Sequence, residues 1–251
     1  MHKILSLSFL FMLAIPFSFS QTKTNKKPVK KTPVQSSKSK NYSTDSIVIA
    51  EKRLTEIRVK ITTDLGIIIV KLSDKTPKHR DNFVKLVQEH FYDSLLFHRV
   101  IHSFMIQGGD PKSKNAAPGI LLGSGDGNYT IPAEFDSTLY HKRGALAAAR
   151  NNNPQKASSS YQFYIVQGKI FNNSELDIIE IKNNIKFSDA KRMTYKMNGG
   201  TPALDMNYTV FGEVESGMEV VDEIASRQTD ANYRPITDIK MKMEVMNEAV
   251  K

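Results

Sequence analysis

One arginine, Arg99, stands inside an apolar segment whose residues favour a β-strand. Because alternate side chains of a strand share a face, Arg99 would lie beside Phe97 and Ile101. A permanently charged guanidinium among apolar groups needs a carboxylate, an amide or a ligand as its partner. Gln107 can be that partner without cancelling the charge. The pair indicates a site with a fixed cationic N–H donor, although an isolated strand arginine is more often exposed or salt-bridged.

Other familiar chemistries find little support in the sequence. The chain has no phosphate loop ending in Lys-Ser or Lys-Thr and no Gly-x-Ser-x-Gly elbow, and Gly123-Ser124-Gly125 falls within a loop. His98 and His102 have a metal-like separation, but the residues between them favour a strand and include a cation, so no metal is predicted. Because the chain contains no cysteine, disulfides, thiolate metal centres and a cysteine nucleophile are excluded.

The elements that would position Arg99 and Gln107 are mostly short strands. Two amphipathic helices are predicted, one from Pro77 to about His90 with Thr76 as its N-cap, and one at 218–225. Because helices do not alternate with strands, the sequence favours a closed or nearly closed β structure capped by helices over parallel winding. The patterns of apolar residues predict strands at 57–61, 67–72, 97–101, 104–107, 144–149, 162–166, 208–214 and 239–245.

The stretch from Lys169 to Gly200 interrupts this series of strands. Ser174 and Ser188 are candidate N-caps, and Gly199-Gly200 would end the stretch. The apolar residues are Leu176, Ile178, Ile179 and Ile181. We therefore predict a helical insertion at about 169–200.

The positive charge of the chain is concentrated in its N-terminal tail. The chain has 251 residues, which suits one large domain, and its formal net charge is +9. The first 44 residues contain eight lysines and no acidic residue, whereas the other 207 residues contain 27 basic and 26 acidic ones. The folded part is nearly neutral, so nucleic-acid binding is not expected.

Residues 1–20 are typical of a cleavable signal peptide, with Lys3, an apolar run from Ile4 to Pro16 and small residues before Gln21. The alternative, a membrane anchor, is disfavoured because the apolar run is shorter than the roughly 20 residues that a span needs. Residues 21–52 are expected to form a basic, disordered linker that acts as a solvated spacer, or alternatively contacts anionic envelope surfaces weakly. The protein is thus expected to be exported to the periplasm or secreted, and to be soluble after cleavage. The folded domain would occupy 53–251.

The segment 97–110 resembles the signature of the cyclophilin-type peptidyl-prolyl isomerases. Other blocks of the sequence resemble the same family and occur in the same order as in its members, so that the resemblance covers roughly residues 55–247. It implies a closed antiparallel barrel of eight strands. The similar blocks are Thr76-Pro77-Lys78 with Asn82-Phe83, Tyr129 to Pro132 with Glu134-Phe135, Gly144 to Ala149, Gln162 to Ile165, Leu204-Asp205, and Val210 to Val214 with Gly217-Met218.

The resemblance also implies a set of site residues. The catalytic arginine of the family falls on Arg99 and its supporting glutamine on Gln107. The expected substrate-binding residues are His98, Phe104, Met105, Ala149, Arg150, Phe163, Tyr164, Leu204 and Tyr208. Without the resemblance, the apolar members of this set would be interpreted as core residues.

The sequence departs from the family pattern at several of these positions. Tyr164 stands where phenylalanine is usual, and its hydroxyl is expected either to narrow the pocket or to supply a hydrogen bond. Arg150 stands where asparagine is frequent, and Tyr161 where a small serine is common. Ala203 stands where members that are sensitive to cyclosporin carry a tryptophan, and this chain has no Trp.

The resemblance implies a peptidyl-prolyl cis-trans isomerase that acts on proline-containing, unfolded or flexible polypeptides. No metal, cofactor or covalent intermediate is needed, and a monomer is expected. The alternative is a binding module or chaperone of the same fold with little turnover. The insertion at 169–200 is expected to adjust the choice of client rather than the chemistry, because it contains none of the matched catalytic positions.

Overall fold

The computed structural model describes residues 56–125 and 127–246. The predicted signal peptide at 1–20 and the whole of the predicted linker at 21–52 lie outside these residues, and both stay predictions. No helix in the described ranges is long and apolar enough to cross a membrane.

Strands dominate the described part of the chain. They are β1 (Arg58–Thr63), β2 (Gly66–Leu72), β3 (Phe97–Ile101), β4 (Met105–Gly108), β5 (Thr130–Ile131), β6 (Ala145–Ala148), β7 (Ser158–Ser159), β8 (Phe163–Val166), β9 (Val210–Ser216) and β10 (Met241–Met246). Eight of these strands form one antiparallel sheet in the order β10-β1-β2-β9-β6-β8-β4-β3, and β5 pairs with β7 in a small second sheet.

The two edges of the large sheet approach each other. Leu96, just before β3, forms an isolated bridge with Lys240, just before β10. The N–H of Phe97 donates to the carbonyl of Ile239 at 3.0 Å, and the N–H of Met241 donates to the carbonyl of Leu95 at 2.9 Å. The predicted eight antiparallel strands are confirmed, and the edges meet through this short bridge rather than through a full ladder.

Within the described ranges, four helices accompany the strands. The first and the last pack on the large sheet through apolar faces that include Phe83, Leu86, Val221 and Ile224. The other two form the predicted insertion. The helices are α1 (Pro77–Gln88), α2 (Asn173–Asn183), α3 (Asp189–Met197) and α4 (Met218–Ala225), and single 3-10 turns lie at Pro111–Ser113 and Pro202–Leu204.

The start of α1 is held by a carboxylate distant in sequence. Thr76 occupies the N-cap position, as predicted, but its side chain makes no capping hydrogen bond. Instead Glu134 accepts the backbone N–H groups of Lys78 and His79 at 3.1 and 3.0 Å, which is favourable because a helix N-terminus attracts an anion. The Nδ1 of His79 lies 2.7 Å from the same carboxylate and its Nε2 lies 2.9 Å from the hydroxyl of Ser158. Helix α1 is thereby tied to β7.

The two helices of the insertion have a small core of their own, formed by Leu176, Phe187 and Tyr195. Ser188 caps α3 as predicted, accepting the N–H of Lys191. The prediction for Ser174 was wrong, because α2 begins two residues earlier. Asn172 is its N-cap, and Asn172 and Glu175 form a reciprocal capping box in which each side chain accepts the backbone N–H of the other residue.

Candidate active site

A cavity of about 320 Å³ opens beside β3, β4, β6 and β8. It brings together nine of the eleven predicted site residues and five others. The predicted ones are Arg99, Phe104, Met105, Gln107, Ala149, Arg150, Tyr164, Leu204 and Tyr208, and the additional ones are Leu122, Gly123, Asn151, Ser159 and Gln162.

Arg99 lies at one side of this cavity. It pairs with Gln107 in the β3-β4 register, and its Nη1 donates to Oε1 of Gln107 at 3.2 Å. No carboxylate among the described residues forms an ion pair with it, and the ring of Tyr233 lies 6.0 Å from its guanidinium carbon. Partial burial lowers the pKa of this guanidinium from its usual value. Arg99 therefore stays a cation whose remaining N–H groups are free for a ligand.

The face on which Arg99 lies differs in part from the expectation. Ile101 packs on the cavity side, as predicted, with the cluster that contains Met105 and Tyr164. Phe97 instead belongs to the core on the other side of the sheet, because the β3-β4 register shifts between Phe97 and Arg99. An irregularity of this kind breaks the strict alternation of side chains along a strand.

A glutamine that sequence analysis missed continues the support of Arg99. The Nε2 of Gln107 donates to Oε1 of Gln162 at 2.9 Å, and Nε2 of Gln162 donates to the carbonyls of Gly123 and Gly125 at 3.1 and 2.6 Å. The chain of amides fixes Gln107 so that its oxygen faces Arg99. The sequence held a signal for this residue. Gln162 is two residues from Tyr164, and side chains two positions apart on a strand lie on the same face.

The apolar part of the cavity is formed by Phe104, Met105, Tyr164 and Leu204, which belong to one cluster. This arrangement provides an apolar recess next to the cationic donor.

Arg150 and Tyr208 pack against each other at the rim of the cavity. The guanidinium carbon of Arg150 lies 4.7 Å from the ring centroid of Tyr208, and its Nε donates to the carbonyl of Asn207 at 2.9 Å. The ring of Tyr208 in turn meets the ring of Tyr164 edge-on, at 6.0 Å between centroids. The three side chains therefore form one continuous wall.

Two predicted substrate-binding residues do not reach the cavity. Phe163 packs in the core against the rings of Phe83 and Tyr92, both at 5.6 Å, because it neighbours Tyr164 on a strand and must face the opposite side. His98 is 2% exposed and lies behind the loop, where a Cβ added to Gly123 would be 3.6 Å from its Nε2. Both residues stand behind the site and support it.

The sequence of the chain matches the model of a known protein family. The family model "Cyclophilin type peptidyl-prolyl cis-trans isomerase/CLD" covers residues 58–245. The chain belongs to this family.

Two curated relatives agree with that assignment. A putative peptidyl-prolyl cis-trans isomerase of Staphylococcus haemolyticus is 35% identical over 185 residues, which cover 73% of this chain and 88% of the relative. A putative bifunctional phosphatase/peptidyl-prolyl cis-trans isomerase of Streptococcus pyogenes is 36% identical over 188 residues. This match covers 72% of the chain but only 37% of that longer relative.

Solved cyclophilin structures share the fold. A crystal structure of a Cryptosporidium parvum cyclophilin type peptidyl-prolyl cis-trans isomerase aligns with a TM-score of 0.56 and 22% identity, covering 77% of this chain and 99% of that one. A structure of the same protein in the presence of the dipeptide Ala-Pro aligns with a TM-score of 0.55 and 23% identity. The cyclophilin fold is thus shown.

The described residues of this cyclophilin contain no group of three or more His, Asp or Glu side chains that could hold a metal ion. His98 and His102 also differ in environment, since the first is buried and the second is exposed.

The buried imidazole of His98 should make stability depend on pH. Burial lowers the pKa of His98 from 6.5 to about 4, against the attraction of Asp110. The unfolded chain therefore binds a proton more readily than the folded one, and stability falls as the pH drops below 6.5. From pH 7 to pH 5 the free energy of unfolding should decrease by about 2 kcal/mol from this residue. Urea unfolding across that range measures it.

The variant His98→Gln isolates this contribution. It should flatten the decrease between pH 7 and pH 5, whatever its stability at pH 7. An unchanged slope would contradict the assignment of the decrease to His98.

Proposed function

We propose that this cyclophilin accelerates the cis–trans isomerisation of X-Pro bonds by stabilising the twisted amide with Arg99. The observation that carries the proposal is the guanidinium of Arg99, which has no carboxylate partner among the described residues, is held by Gln107 and borders an apolar recess. This combination suits a ligand that is apolar around a nitrogen atom, as the prolyl ring is.

The chemistry of the bond explains why such a donor accelerates rotation. Resonance of the nitrogen lone pair gives the amide a rotation barrier of about 18–20 kcal/mol. In the twisted state the nitrogen becomes pyramidal and recovers its lone pair, which can accept an N–H of Arg99. Because the planar ground state lacks that acceptor, the hydrogen bond stabilises the transition state selectively.

The other side chains of the cavity hold the substrate. Phe104, Met105, Tyr164 and Leu204 would enclose the proline ring and exclude water, while Ala149 and Arg150 border the path of the substrate backbone. No proton is transferred and no covalent bond is formed.

We expect the clients to be proline-containing, flexible polypeptides in the cell envelope, since residues 1–20 predict export. Cell fractionation combined with N-terminal sequencing would test this, with Gln21 as the expected first residue of the exported form. Recovery of the intact chain in the cytoplasmic fraction would contradict it.

A salt titration of vesicle and nucleic-acid binding, with and without residues 21–44, would test whether the tail contacts anionic surfaces.

Gln107 is expected to act by orienting Arg99. Gln107→Leu removes the acceptor at 3.2 Å and the link to Gln162, so kcat/KM on a short proline peptide should fall by about tenfold, in line with the loss of one hydrogen bond. The matched control is Gln88→Leu on the exposed side of α1, which should keep full activity. A Gln107→Leu protein that is folded and as active as this control would refute the orienting role.

A further inference from the structure

A line of hydrogen bonds leads from the wall of the proline pocket to the insertion. The hydroxyl of Tyr164 lies 2.9 Å from Nε2 of His141, and Nδ1 of His141 lies 3.0 Å from Oδ1 of Asp205. The hydroxyl of Tyr195, on α3, donates to Oδ2 of the same carboxylate at 2.8 Å. All four side chains are at most 4% exposed. We call this set the buried relay.

The positions of the protons in the buried relay follow from the hydrogen bonds of its carboxylate, Asp205. An ionised carboxylate only accepts hydrogen bonds, and Asp205 also accepts the backbone N–H of His141 at 2.9 Å. In the neutral imidazole Nδ1 therefore carries the proton, and Nε2 accepts the hydroxyl proton of Tyr164. Of the two expectations for this hydroxyl, the structure shows the hydrogen bond, which is made to His141, while the ring of Tyr164 forms the wall of the cavity.

The buried relay resembles the hydroxyl, imidazole and carboxylate of a serine hydrolase in its order of groups, but it is not suited to nucleophilic attack. Burial raises the pKa of Tyr164 well above its usual value, so the phenol stays protonated. A protonated phenol whose position is fixed by a hydrogen bond can only shape the wall that it forms.

We propose that Tyr195 is a positioning residue for the proline pocket, acting through Asp205 and His141 on the ring of Tyr164. This inference rests on the proposed function of the cavity. Asp205 directly follows Leu204, a second wall residue, so a shift of its carboxylate would disturb the wall at two points. Removing the hydroxyl of Tyr195 leaves a buried carboxylate oxygen without its short donor, and the side chains must then readjust.

The insertion would accordingly do more than select clients. Gly200 at its end forms bridges with Lys142 and Lys169, and Tyr195 lies in the middle of its core. Removing the whole insertion would therefore also remove the last member of the buried relay.

The experiment is a double-mutant cycle on the full chain with a short proline peptide. Tyr195→Phe deletes only the hydroxyl and keeps the ring contacts with Phe171 and Phe187. It should lower kcat/KM about fivefold, mainly through a higher KM, because the grip on the ring is weakened in the ground state and the transition state alike. In a Tyr164→Phe background the same change should cost less than about twofold, since the connection is already broken.

Tyr140→Phe is the matched control. The hydroxyl of Tyr140 also bonds to α3, donating to Thr194 at 3.1 Å, but it is not part of the buried relay. The Tyr140→Phe protein should therefore keep the kinetics of the unmodified chain. If the role of Tyr195 were purely structural, Tyr195→Phe would lower the melting temperature without changing KM.

Two results would overturn the proposal. One is a folded Tyr195→Phe protein with unchanged KM, and the other is an effect of equal size in both backgrounds. If Tyr195→Phe does not fold, Tyr164→Phe alone tests the same connection at its other end, since it deletes the hydroxyl that bonds to His141. Unchanged kinetics in that variant would also contradict the proposal.

Failure of the proposed function can be recognised separately. The affinity of each variant for the same peptide is measured by titration alongside turnover. If the unmodified chain binds the peptide but does not turn it over, the catalytic proposal fails. The double-mutant cycle, measured as peptide affinity, then still tests whether Tyr195 positions the pocket.

Discussion

Replacing Arg99 by alanine is expected to lower kcat/KM for a short X-Pro peptide by about a hundredfold or more, the scale of removing one oriented transition-state donor. Among the described residues, the other cationic side chain that lines the cavity is Arg150, which is engaged by Asn207 and Tyr208. The fold should persist, because Arg99 forms no ion pair with the described residues and contributes one hydrogen bond to Gln107.

Thermal unfolding and turnover should be measured together for this variant. Arg227→Ala is the matched control, because Arg227 lies just after α4 and pairs with the nearby Glu223, away from the cavity. That control should keep its activity. If Arg99→Ala unfolds like the unmodified chain and retains activity within about twofold, the role of Arg99 is refuted.

Cyclosporin is expected to inhibit this cyclophilin weakly, and Ala203→Trp is expected to strengthen the inhibition by about thirtyfold, the value of one large aromatic anchor. Ala203 is exposed and directly precedes the wall residue Leu204, so an indole can be added there without displacing buried atoms. The sensitive family members carry tryptophan at this position, whereas this chain has none.

The inhibition constant of cyclosporin in the peptide assay tests this expectation. Ala190→Trp, at an exposed position of α3, adds the same side chain outside the cavity and should leave inhibition weak. Nanomolar inhibition of the unmodified chain would show that residue 203 does not decide affinity. The assignment of Arg99 would be unaffected by that result.

Local patterns in the sequence were sufficient for most of the elements. The alternation of apolar residues predicted β1 and β2, and Pro77 with helical spacing predicted α1. The segment 97–110 also predicted that Arg99 and Gln107 are partners, which the β3-β4 register confirms.

What could not be predicted depended on irregular or distant contacts. The register shift next to Phe97 has no signature in residue type, so strict alternation placed that ring on the wrong face. The capping of α1 by Glu134 and the bond from Tyr195 to Asp205 join segments whose proximity exists only after folding. The expectation that Phe163 binds substrate had a different cause. It came from the family resemblance, although the alternation of side chains along a strand already indicated that Phe163 and its neighbour Tyr164 face opposite sides of the sheet.

The most direct test of the central claim is exchange spectroscopy on a short Ala-Pro peptide, without protease, using catalytic amounts of the full chain. Uncatalysed exchange takes tens to hundreds of seconds. The account predicts that the chain raises the cis–trans exchange rate enough to give exchange cross-peaks between the two peptide isomers, that Arg227→Ala preserves these cross-peaks and that Arg99→Ala removes them at the same protein concentration. Peptide shifts that show binding to the unmodified chain, with exchange as slow as in its absence, would contradict the account and identify a proline-binding module instead.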